Sequence, residues 1–183
     1  MTDSSLQRDN AFWQFSIRVF AAPGVAAECI ALQEALGLDV NVLLFCAWLG
    51  VSRRVALTAA ELEAVTALVR PWHEQVVRPL RQVRLQLKTL LAHHAEALRT
   101  RVKAVELEAE QTEQAMVFAY AEQEWPQACT GSPREIVQAN VQLHLEYGCG
   151  VPDRADVLVG RLIDAALAYD PLFLLETSPT PSG

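Results

Sequence analysis

Between residues 80 and 125 the chain has neither proline nor glycine, and apolar side chains recur at intervals of three and four through Val83, Leu87, Leu90, Leu98, Val102, Val105, Ala109, Met116 and Tyr120. That period belongs to a helix with one face turned toward a core. A single helix of this length would run to about 65–70 Å at 1.5 Å per residue, too long for a compact domain of this size. The chain must double back inside the segment. The turn is expected at residues 91–95 (LAHHA), giving a long antiparallel helical hairpin over 72–125. No stretch alternates with period two over a useful length, so the reading is all-α: a compact single-domain bundle of about seven or eight helices. Residues 1–9 are expected to be a flexible N-terminus, 10–170 the helical domain and 171–183 a C-terminal tail disordered at its end.

Proline, glycine and capping residues mark the expected joints. Asp9 or Asn10 caps a first helix carrying Phe12, Trp13, Phe15 and Val19; Pro23 suits the first turn of a second, and Gly37 stops it. The stretch LGLDVNVLLFCAWLG, residues 36–50, then places Asp39 as the N-cap of a helix apolar nearly all round, with Leu38 and Leu43 at the spacing of a hydrophobic staple. Gly50 is expected to close that helix, which should lie at the centre of the fold. Asn41 falls in its first turn and needs a hydrogen-bond partner if buried. Thr58 with Glu61, and Ser132 with Glu135, have the capping-box form, the second with Pro133 at the first helical position. A last helix is expected over 153–169.

The charge balance is -7, which disfavours a protein whose main task is to hold a phosphate backbone; nucleic acid is not the expected partner. Cys29, Cys46, Cys129 and Cys149 show no C-x-x-C spacing. They read as reduced thiols of a cytoplasmic protein, with Cys149, between two glycines, the most open. The longest apolar run covers 42–51, whereas a bilayer takes about 20 residues, so no membrane span is expected. The first ten residues lack the basic start of a secretory leader.

Charge is also segregated along the chain. Residues 70–103 hold eight of the fifteen Lys and Arg against Glu74 and Glu96, while 104–125 hold six glutamates and no base. Arg78, Arg81, Arg84 and Lys88 share one side of their helix, as do Glu106, Glu110 and Glu113. In one reading the folded hairpin lays the basic stripe beside the acidic one and sets orientation. In the other, Arg78, Arg81, Arg84 and Lys88 stay open and meet an acidic protein partner. A homodimer along the long helices is compatible with the apolar content.

Motifs for metal or catalytic chemistry are missing. No histidine follows a glutamate by three, and the HExxH, G-x-S-x-G and phosphate-loop patterns do not occur; no metal or cofactor is expected. His73 and His144 stand alone on helices. One constellation could line a pocket: Asp39, Asn41, Trp13, Trp48 and Cys46, with Asp39 as acid or base and Asn41 orienting a carbonyl. Capping already accounts for Asp39, however. The residues favour a non-catalytic cytoplasmic binding or adaptor protein that uses its arginine face. The alternative is a small-molecule-binding protein or enzyme built around Asp39 and Asn41.

Residues 12–50, FWQFSIRVFAAPGVAAECIALQEALGLDVNVLLFCAWLG, fix aromatic, Pro-Gly, Cys, Leu-Gln and Asp-Val-Asn positions in order. They resemble a proteobacterial family of small proteins known as a domain of unknown function. Residues 98–114, LRTRVKAVELEAEQTEQ, resemble a second signature of the same family. The resemblance covers about 10–125 and implies a compact cytoplasmic helical protein. It transfers no catalytic residue.

Overall fold

The computed structural model describes residues 6–90, 95–125, 132–149 and 159–169, and the regular elements among them are all helical. Asn10, rather than Asp9, opens α1 (Ala11–Ala21), its Oδ1 accepting from the Trp13 N–H at 2.9 Å. Helix α2 (Val25–Leu36) begins after Gly24, so Pro23 lies in the preceding turn and not in the first helical turn as expected. It stops at Gly37, whose φ of +66° only glycine adopts cheaply and whose N–H closes on Gln33 O at 2.9 Å.

Helix α3 (Val40–Trp48) starts on Asp39, whose Oδ1 accepts from the Asn41 N–H at 2.9 Å. From Asn41 to Trp48 every residue is buried. The helix does not close at Gly50 as the sequence suggested; it widens into a π-helical turn, Leu49–Arg53, and ends at Arg54 with φ +52°. Glycine is needed there for another reason. A Cβ at Gly50 would sit 2.7 Å from Val137 Cγ2 and 2.9 Å from Val137 backbone atoms, so its absence lets the helix that carries Val137 approach.

Helix α4 (Ala59–Trp72) carries the full Thr58–Glu61 capping box. It then runs through Pro71 and a second π-helical turn, His73–Val77, directly into α5 (Arg78–Leu90). Proline here is not a joint. Its ring and missing N–H bear on the carbonyl of Ala67, one turn earlier, and the helix runs on through them; the widened turn starts two residues after Pro71. Helix α6 (Glu96–Glu124) packs along α5, α7 (Pro133–Cys149) packs on α3, and α8 (Gly160–Leu167) closes against α2, its N-terminal N–H groups donating to the Glu28 carboxylate at 3.0 and 3.1 Å. The expected hairpin turn with His93 and His94, the start of the last expected helix, Cys129, residues 1–5 of the expected N-terminus and the C-terminal tail lie outside the described residues.

The core gathers around α3. Phe12 meets Phe45 edge-on at 5.4 Å, and Trp48 lies 5.5 Å from Phe12 and 5.7 Å from Phe118. Fully burying each such side chain is worth about 1.5–3 kcal/mol. One buried amide fixes α7 to this core: Asn140 donates to Cys46 O and Val55 O and accepts from the Leu57 N–H at 2.8 Å. Among the described residues no single helix is long and apolar enough to cross a membrane.

Candidate functional site

The N-cap that starts α3 uses only one oxygen of Asp39. Its other oxygen, Oδ2, lies 3.0 Å from Nδ1 of His73, the first residue of the second π-helical turn. The same Nδ1 lies 3.1 Å from Oε1 of Glu113, on α6. Glu113 is fully buried, and its remaining oxygen accepts from Asn41 Nδ2 at 2.7 Å. Asn41 is in turn held by Gln114, whose Nε2 donates to its Oδ1 at 2.8 Å. Three helices thus deliver two carboxylates to one imidazole nitrogen, and the amide required by its burial has both partners it needs.

The electrostatics follow from this crowding. Burial alone would lower the His73 pKa, but the hydrogen bonds and charges of Asp39 and Glu113 outweigh it and push it up to about 10. For Asp39, burial opposes ionisation, yet the hydrogen bond and charge of His73 hold it below the ordinary carboxylate value. Burial and the charge of Asp39 push Glu113 up to about 8. The two carboxylates therefore divide the work: one ionises readily beside the imidazolium, and the other resists.

Asp39 and His73 form part of the wall of a pocket of about 160 Å³, lined also by Thr66, Arg70, Glu74, Arg78, His144 and Tyr147. Arg70 Nη2 donates to the Tyr147 hydroxyl at 2.9 Å. His144, on α7, lies with Nε2 3.2 Å from the Asp39 carbonyl oxygen, and burial, opposed by Asp39, depresses its pKa. Its Nδ1 is buried without a hydrogen-bond partner.

Of the five residues that the sequence grouped as a pocket, Asp39 and Asn41 are in this cluster. Trp48 and Cys46 belong to the apolar core, and burial raises the Cys46 thiol far above its ordinary pKa. Trp13 is half-buried on α1. The arginine stripe is divided. Arg81 pairs with Glu106 at 3.1 Å and Glu110 at 2.5 Å, and Arg84 also pairs with Glu106, whereas Arg78 and Lys88 are exposed. Sequence reasoning missed His73, Glu113, Gln114 and His144 as members of one site. The available signals were the second oxygen of Asp39, which capping leaves unused, and the position of Glu113 in line with Glu106 and Glu110.

No curated protein and no solved structure matches the chain. A family model does match, described as "Protein of unknown function (DUF2390)", over residues 11–117, a span that contains Asp39, Asn41, His73 and Glu113 but not His144. The match covers more than half of the chain, which therefore belongs to the DUF2390 family.

Proposed function

We propose that the protein binds a small molecule in the pocket at Asp39 and His73 and can exchange a proton with it. The observation that carries this reading is the junction of a pocket with a half-buried imidazole shared by two carboxylates, one of them fully buried. Such groups are costly to bury and are commonly found where they hold a ligand or move a proton. At about 160 Å³ the pocket is smaller than the about 300–1,000 Å³ that accommodates drug-sized ligands, which points to a compact metabolite. Arg70 and Arg78 at its wall favour a ligand with an anionic end. Arg78 has no ion-pair partner among the described residues. An adaptor working through Arg78, Arg81, Arg84 and Lys88 has less support, since Glu106 and Glu110 already occupy Arg81 and Arg84.

Native mass spectrometry of the protein captured gently from cells tests the reading. The expected result is a small added mass that leaves on mild denaturation, is lost in His73→Gln and persists in Lys88→Ala. Absence of any adduct, or its survival in both His73→Gln and Arg78→Ala, overturns the pocket. A co-purifying protein lost on reversal of Arg81 and Arg84 to glutamate, with no small adduct, replaces it with the adaptor.

A further inference from the structure

Asn41 anchors both carboxylates of the cluster by their outer oxygens. Its backbone N–H donates to Asp39 Oδ1, and its side chain donates to Glu113 Oε2. The inner oxygens, Asp39 Oδ2 and Glu113 Oε1, are thereby turned toward His73 Nδ1, at 3.0 and 3.1 Å. One ligand atom from each residue lies within 4.8 Å of the others. Atoms bound about 2.0–2.2 Å from a common metal, at roughly 90–110° to one another, are separated by about 2.8–3.6 Å. The two distances from the nitrogen fall in that range.

Charge and hydrogen-bond capacity agree with the distances. A single imidazole N–H cannot point squarely at two oxygens. Two carboxylates and a neutral imidazole, by contrast, present three lone pairs and a charge that a divalent cation cancels, in a place where uncancelled charge is expensive. The hydrogen bonds from Asn41, supported by Gln114, are of the kind that fix ligand orientation around a metal. A second observation lies at the same wall. His144 is 2% exposed, lines the pocket beside Asp39 and His73, and has a buried Nδ1 with no partner.

We infer that Asp39, His73 and Glu113 form the binding site of one divalent first-row transition ion, open on the side of the pocket. One nitrogen and two oxygens suit Zn(II), Fe(II), Mn(II) or Co(II) better than Ca(II), which takes oxygen alone, or Cu(I), which prefers sulfur. The inference deepens the pocket reading and rests on it for the open coordination positions.

Titration of the chelator-stripped full chain with Co(II), followed by calorimetry and by the visible absorption of the bound ion, tests it. The expected outcome is one Co(II) per chain, displaced by Zn(II), with affinity lowered at least 100-fold in Glu113→Gln and in Asp39→Asn, which keeps a capping side chain, and unchanged in Lys88→Ala. Far-UV circular dichroism identifies whichever variant is folded and decides. Substoichiometric binding to the wild-type chain, or equal affinity in a folded Glu113→Gln, overturns the metal site. A small-molecule adduct that persists in chelated protein would keep the pocket and remove the metal. Stoichiometric Co(II) in a chain that never carries an organic adduct would do the opposite.

Discussion

Glu106, Glu110 and Glu113 stand within two turns of α6 and face the same neighbouring stretch, yet they are matched in opposite ways. Glu106 and Glu110 meet Arg81 and Arg84, guanidinium groups that stay charged at every accessible pH. Glu113 meets His73, which it must share with Asp39. The first region has a permanent cation for each acid, with its edges in solvent. The second has only Glu113 fully buried, has one titratable cation for two acids, and opens on a pocket. The charge matched with arginine keeps its partner's sign at every accessible pH, whereas the charge matched with histidine has a partner that can lose its own.

The largest expected contrast comes from truncation. His73→Ala leaves Asp39 without its cation beside a Glu113 that resists ionisation, a change expected to cost about 3 kcal/mol, the lower end of the range for removing one partner of a buried pair, because Asp39 and His73 are partly exposed. Urea unfolding at pH 7 measures it. A loss below about 1 kcal/mol would mean that the cluster is no more demanding than the ion pairs between α5 and α6.

A pH series on the metal-free chain sharpens the difference. His73 is raised in the fold to about 10, so its stabilisation is complete below its unfolded value near 6.5 and is lost as pH climbs through about 10. Glu113, raised to about 8, acts in the same direction from about 4.5 upward. Asp39, held low, and His144, depressed by burial, lose their contributions only on the acid side; Glu110, raised by burial, is the other acid facing this cluster. Stability should therefore fall between about pH 6.5 and 10, at no more than about 1.4 kcal/mol per pH unit for each proton released. His73→Gln should flatten the profile, and a slope of the same size in that variant would place its origin elsewhere.

The smallest effect is expected between α5 and α6. Glu106→Gln should cost about 1–2 kcal/mol, more than an exposed pair because the glutamate is buried, and less than a pair sealed from solvent because both arginines reach water. The pH slope should be unchanged. Lys88→Ala, on α5 and with no ion-pair partner among the described residues, should lie within about 0.5 kcal/mol of the parent.

Much of the fold could be read locally. The caps at Asn10, Asp39 and Thr58 and the stop at Gly37 each depend on a few neighbouring residues. The joint that failed, at Gly50, was decided by distant and collective features: the approach of Val137 and a change of helical winding. The site failed for the same reason on a larger scale. His73 and Glu113 are 40 residues apart, and Asn41 and Glu113 are 72 apart, so no short motif could join them. What the sequence did show, an aspartate at a cap, a solitary histidine and the last of three aligned glutamates, acquires chemical meaning only when α3, α4 and α6 pack.

The widened turn His73–Val77 gears these two regions together. It begins at the cluster's imidazole and ends four residues before Arg81, so a residue removed from it would rotate all that follows by about 100° and carry both arginines away from Glu106. Conversely, a force that tightened the turn to ordinary α-helical winding would have to choose which end of the glutamate row to abandon. The clamp and the pocket are two teeth of one rack, and their spacing is set by the winding of a single turn.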